Sequence, residues 1–143
     1  MQQIGLVGCV KQKRKTKSRA KDLYTSDLFA KAREYSEKHY DTWFILSAKY
    51  HLVQPETYVR PYDETLNDKT IAECKEWARQ VFNQIADRFP DPKAVEFYFH
   101  AGSNYREFLI SLLVKAGYFC KVPLQGLKIG EQLAWYKEHN TPH

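Results

Sequence analysis

Hydrophobic positions fall in short runs with two different periods. Ile4-Gly-Leu-Val-Gly-Cys-Val10 is apolar or small throughout, as in a buried strand. Leu28, Phe29, Ala32 and Tyr35 recur at helical spacing behind Ser26, a good N-cap, which predicts a helix over 27–39. Thr42-Trp-Phe-Ile-Leu-Ser47 is aromatic and branched, and predicts a second strand. A helix follows from a cap at Asn67 or Asp68 to about Phe89, with Ile71, Cys74, Trp77, Ala78, Val81 and Ile85 as its apolar stripe and Pro90 and Pro92 ending it. Ala94–His100 alternates in part and reads as a third strand. Arg106–Ala116 reads as a helix with Leu109 and Leu113 inward and Gly117 past its end. Tyr118–Val122 is a fourth strand, Pro123–Gly126 a turn, and Ile129 to about His139 a last helix. Strands alternating with helices predict one three-layer α/β domain with a mostly parallel sheet of four strands, or slightly more, between helices.

Two segments lack a period. Residues 11–21 hold seven basic residues and no acidic one; the 22 basic residues less these seven leave 15, against 17 acidic. The basic excess is thus local, which suggests phosphate contact through Lys13, Arg14, Lys15, Lys17 and Arg19, or simply a solvated loop. Residues 48–66 form a long loop anchored by Pro55, Tyr58, Pro61 and Tyr62, and loops of that length in compact domains are commonly functional.

The wider composition narrows the classes. No apolar run approaches the roughly 18 residues of a membrane span, and Met1–Val7 has no basic segment of a signal peptide. Cys9, Cys74 and Cys120, an odd and widely spaced set, argue against a disulfide framework and a zinc site. A reducing, cytoplasmic protein without metal or cofactor is expected, its oligomeric state left open.

Chemistry-bearing residues collect where strands end, and ligands of α/β sheets bind at the carboxyl ends of strands. Cys9 and Lys11 follow the first strand; the thiol is a possible nucleophile, or a small packed hydrophobe. Ser47, Lys49, Tyr50 and His51 follow the second. Lys49 can hold a phosphate or form a Schiff base, and Tyr50 can stack on a base. Tyr62 and Asp63 follow Pro61, and Asp63 suits a general base or an oxocarbenium stabiliser as well as a turn residue satisfying backbone amides. His100, Gly102, Asn104 and Tyr105 lie between the third strand and its helix, a place for a proton carrier, a phosphate or an ordinary cap. Gln132 can read a base edge through its amide.

Four blocks carry a resemblance: Leu6-Val-Gly-Cys-Val-Lys11, Ala20-Lys-Asp-Leu-Tyr-Thr-Ser-Asp-Leu-Phe29, Phe44-Ile-Leu-Ser-Ala-Lys-Tyr50 with Pro61-Tyr62, and Pro123-Leu-Gln-Gly-Leu-Lys-Ile-Gly-Glu-Gln-Leu133. Together they resemble a family of small bacterial and phage proteins. That family is distantly similar to the YaaA peroxide-stress proteins and to the glycosylase-like domain of archaeosine-forming tRNA enzymes. The resemblance implies an α/β domain of nucleobase and nucleic-acid chemistry, and DNA binding in the YaaA-like relatives. Two positions depart from it: His51 stands where the relatives carry glycine, and His100 where they carry an apolar residue. The expected function is DNA glycosylase-like cleavage of an N-glycosidic bond, with DNA a better partner than RNA. A non-catalytic DNA-binding stress-protection module and an enzyme of free nucleotides or nucleosides remain alternatives.

Overall fold

A computed structural model describes residues 1–8 and 13–140. In chain order it contains β1 (Gln2–Gly8), β2 (Ser18–Arg19), α1 (Ala20–Leu23), α2 (Asp27–His39), β3 (Thr42–Ser47), β4 (His51–Val53), β5 (Tyr58–Val59), α3 (Ile71–Arg88), β6 (Val95–His100), α4 (Ser103–Lys115), β7 (Phe119–Lys121) and α5 (Ile129–Asn140). A central sheet of five strands runs β4-β3-β1-β6-β7. Its neighbours are parallel except β3 and β4. The α/β layering and mostly parallel sheet are as the pattern predicted.

Side-chain alternation assigns the two faces. Gly5 pairs with Tyr98 and Val7 with His100, and this set faces α2 and α5, which pack together. A Cβ on Gly5 would lie 2.6 Å from the Tyr40 ring, so the close approach of α2 requires glycine there. The opposite set, Ile4, Leu6, Phe97 and Phe99, is fully buried under α3 and α4, which also pack together. Phe97 meets Phe89 edge-on and Tyr118 at a tilt.

Several boundaries differ from expectation. The stretch 48–66 is not a structureless loop: His51–Val53 turns back on β3 as an antiparallel edge strand, and Tyr58–Val59 pairs with Ser18–Arg19. Pairings of two or three residues are too short to show a period. The basic segment is likewise folded in its later half, with Ala20 and Lys21 amides donating to Thr57 and Pro55 carbonyls. α3 starts later than expected, because Thr70 and Glu73 form a reciprocal capping box, and Asn67 and Asp68 sit in a separate 3-10 turn. α4 starts three residues earlier, at Ser103. Val10, placed in the first strand from sequence, lies outside the described residues, as do Cys9 and Lys11. No described helix is long and apolar enough to cross a membrane.

Candidate functional site

The strand order sets the site. From β1 the chain passes through α2 to β3 on one side, and from β3 through α3 to β6 on the other. The connections diverge at the carboxyl ends of β1 and β6, and such a switch point leaves a crevice. A cleft of about 450 Å³ lies there. Val7, Gly8, Phe99 and His100 form its floor, and Leu28, Phe29 and Ala32 of α2 give it an apolar wall. The facing wall is polar: Asn67, then Gly102, Ser103, Tyr105 and Arg106 at the start of α4. Gln125 and Leu127 of the turn before α5, with Gln132 and Tyr136 of α5, complete it. No Asp or Glu is among the described lining residues.

The polar wall is mostly donors. Gly102 caps α4 without a side-chain hydrogen bond; the Tyr105 amide bonds the Gly102 carbonyl, and the Ser103 and Asn104 amides before it have no side-chain cap. Arg106 donates one guanidinium N–H to the Ala101 carbonyl at 3.2 Å, which holds its head at the strand end. Asn104 donates to Asn67 Oδ1 at 2.8 Å and ties the 3-10 turn to α4.

His100 is 8% exposed. Its Nε2 lies 2.6 Å from the Tyr40 hydroxyl and its Nδ1 2.7 Å from that of Tyr136. Burial pushes its pKa down to about 4 and raises those of both phenols. A neutral imidazole has one donor and one acceptor, so one phenol donates and the other accepts. His100 therefore pins α2, β6 and α5 together at the cleft floor, with neither ring nitrogen free to take a substrate proton.

The residues after β3 form a different assembly. Ser47 is fully buried and donates to the Tyr62 hydroxyl at 2.8 Å, which lies 2.7 Å from that of Tyr24. The Tyr50 amide donates to Ser47 Oγ, and the Tyr50 ring meets Tyr62 edge-on. Trp77 of α3 donates to the Ser47 carbonyl. Lys13 Nζ sits 4.4 Å from the Tyr62 ring centroid. Ser47 and Tyr62 thus fasten the long segment to the sheet edge. Tyr105 does both jobs: it lines the cleft, and its hydroxyl accepts from the Leu66 amide at 3.2 Å.

The expected constellation is therefore divided. His100, Gly102, Tyr105 and Gln132 line the cleft; Ser47, Lys49, Tyr50, His51, Tyr62, Asp63 and Asn104 are not among its lining residues. Asp63 is exposed, and Lys49 is exposed with its Nζ 5.6 Å from the Tyr50 ring. His51 has a pKa lowered chiefly by burial, with Glu64 opposing. Of the basic run, Arg19 and Lys21 share Glu56, whereas Arg14, Lys15 and Lys17 are exposed and form no ion pair with a described residue. Sequence reasoning missed Leu28, Phe29 and Ala32 as a ligand wall, because an apolar helical stripe reads equally as core. It also missed Asn67, Gln125 and the phenols that hold His100. No three His, Cys, Asp or Glu side chains among the described residues converge to hold a metal ion.

A mostly parallel five-stranded sheet between helices, with a cleft at its switch point, places the domain in the three-layer α/β class. Within that class the chain belongs to a family of unknown function, DUF6884, whose model matches residues 4–138. No curated protein and no solved structure matches the chain.

Proposed function

We propose that this chain is a nucleobase-processing enzyme. It takes one nucleotide unit of a DNA strand into the switch-point cleft and acts on its N-glycosidic bond. The cleft carries the reading: about 450 Å³ is the scale of a single small ligand. Its apolar wall on α2 suits the face of a base, and its donor-rich wall on α4 suits phosphate or sugar oxygens. Without a carboxylate among the described lining residues, nothing described there repels an anion. A base stacked in a duplex cannot reach such a cleft, so the target is extruded or single-stranded. The exposed Arg14, Lys15 and Lys17 supply backbone attraction. The resemblance to the glycosylase-like domain of archaeosine-forming enzymes points the same way.

In hydrolysis the C1′–N bond breaks with its electrons going to the base. Water supplies the new C1′–OH and the proton the base carries away. Arg106 is the one Lys or Arg among the described lining residues; a cation there supports charge developing on the base or held on phosphate. His100, bonded to Tyr40 and Tyr136, holds the floor in place.

A second reading, an enzyme of free nucleotides, is favoured by one observation. Glu56 already engages Arg19 and Lys21, which leaves fewer cations to hold a strand. The test is incubation with single-stranded and duplex DNA carrying normal and modified bases, and in parallel with free nucleotides, scored for released base. Release from DNA that falls in Arg106→Ala supports the first reading. Release from free nucleotides alone selects the second. Salt-sensitive DNA binding with no release from either sinks both in favour of a binding module.

A further inference from the structure

The side-chain amide of Gln132 has a fixed orientation. Its Nε2 donates to the Leu127 backbone carbonyl at 2.9 Å. A carbonyl only accepts, so this contact identifies the nitrogen end and leaves Oε1 as the end not held by the turn. Gln132 lines the cleft with Leu127, opposite the start of α4. The helix that carries it is fixed too: Tyr136, one helical turn further on the same face, is held by His100 Nδ1 at 2.7 Å.

The cleft is therefore polarised. Arg106 and the first turn of α4 supply donors on one side; on the other, Gln132 has its Nε2 taken by Leu127 and keeps Oε1 as its remaining polar atom. A ligand fitting both carries oxygens at one end and an N–H donor at the other. Within the nucleotide reading, on which this inference rests, the oxygens belong to the phosphate or sugar and the donor to the base.

We propose that Gln132 is a specificity-determining residue whose Oε1 accepts from the exocyclic amino group of a base such as adenine or cytosine, so that the same base without that group binds less well. An analogue without the amino group forgoes that hydrogen bond, and such a loss is worth on the order of tenfold in affinity.

The experiment uses two matched pairs that differ at this group alone. Deoxy-AMP is compared with the deoxynucleotide of unsubstituted purine, and deoxy-CMP with its analogue bearing hydrogen in place of the 4-amino group. Binding of each to the full chain is measured by calorimetry, with Gln132→Met and its melting temperature alongside. Expected are amino members about tenfold tighter in the wild type, and equal affinities within each pair for Gln132→Met. Equal affinities in the wild type overturn the proposal whatever the variant does. A preference that survives in Gln132→Met overturns the role of Gln132. Should Gln132→Met melt early, its binding is measured well below its own midpoint, and a preference that survives there still counts against the proposal. Absence of binding by all four nucleotides overturns the nucleotide reading itself, and the base preference with it.

Discussion

His100 joins three elements through one imidazole, and its protonation state follows from that. Tyr40 and Tyr136 occupy both ring nitrogens, and the Tyr35 ring lies 5.4 Å away. No acidic side chain among the described residues shifts it, and burial is the cause of its low pKa. Protonation would turn the accepting nitrogen into a donor and leave a buried cation without a counter-charge. The folded pKa of about 4 lies below an unfolded value near 6.5, so between them the unfolded chain binds the proton first. Stability is full above about pH 6.5 and falls as pH drops toward 4, in the direction shared by His51. Between about pH 7.5 and about pH 5 the loss from His100 is expected to be about 2 kcal/mol. Urea midpoints across that range check it. His100→Gln, weaker overall, is expected to show a flatter pH profile; an unchanged profile would show that His100 is not the titrating group. A histidine at a strand end was legible as unusual, but its burial was not, because Tyr40 and Tyr136 come from distant helices.

At the scale of elements, the β3–β4 hairpin shows where a single residue opposes its backbone. Ser47 pairs with His51 across Ala48-Lys49-Tyr50, and His51 has φ 65, the one positive φ at a non-glycine among the described residues. The left-handed region costs an L-residue roughly 1–2 kcal/mol. Glycine avoids that cost but loses about 0.5–1 kcal/mol through its freer unfolded chain. His51→Gly is thus expected to stabilise the domain by about 0.5 kcal/mol, a rise in melting temperature of about 1–2 °C. A fall in the midpoint would mean that the half-buried imidazole contributes more than its backbone costs. Elements with their own period were legible: Thr42–Ser47 is the observed β3, and the Ser26 cap is made to the Phe29 amide. β2, β4 and β5 were not, because two- and three-residue pairings rest on contacts from other parts of the chain. The cleft was half legible. Strand ends named His100, Gly102 and Tyr105, but not which of the strand-end groups converge. Ser47 and Tyr62 carry the same chemistry and serve instead to anchor a loop.

Across the whole molecule, charge divides the basic run in two. The earlier part, Arg14, Lys15 and Lys17, is exposed. In the later part Arg19 and Lys21 meet Glu56, and Arg19 also bonds Tyr58. Exposed ion pairs are weak, yet a cation that must leave a carboxylate to reach a phosphate gains less than a free one. Binding to a nucleic acid releases counterions in proportion to the phosphates neutralised. If the strand lies along this segment toward the cleft, the dependence of log affinity on log salt is carried mainly by Arg14, Lys15 and Lys17. The double variant Lys15→Ala, Lys17→Ala is expected to lower that slope by about 1.4 on single-stranded DNA and about 1.8 on duplex. Arg19→Ala is expected to lower it by less than one such charge. Fluorescence anisotropy with a labelled oligonucleotide over a salt series measures both. Equal slope changes for Arg19 and Lys15 single variants would show that Glu56 releases its partners at no cost. An unchanged slope in the double variant would remove the basic segment from the binding surface and shift the proposed substrate toward free nucleotides, which need only the cleft.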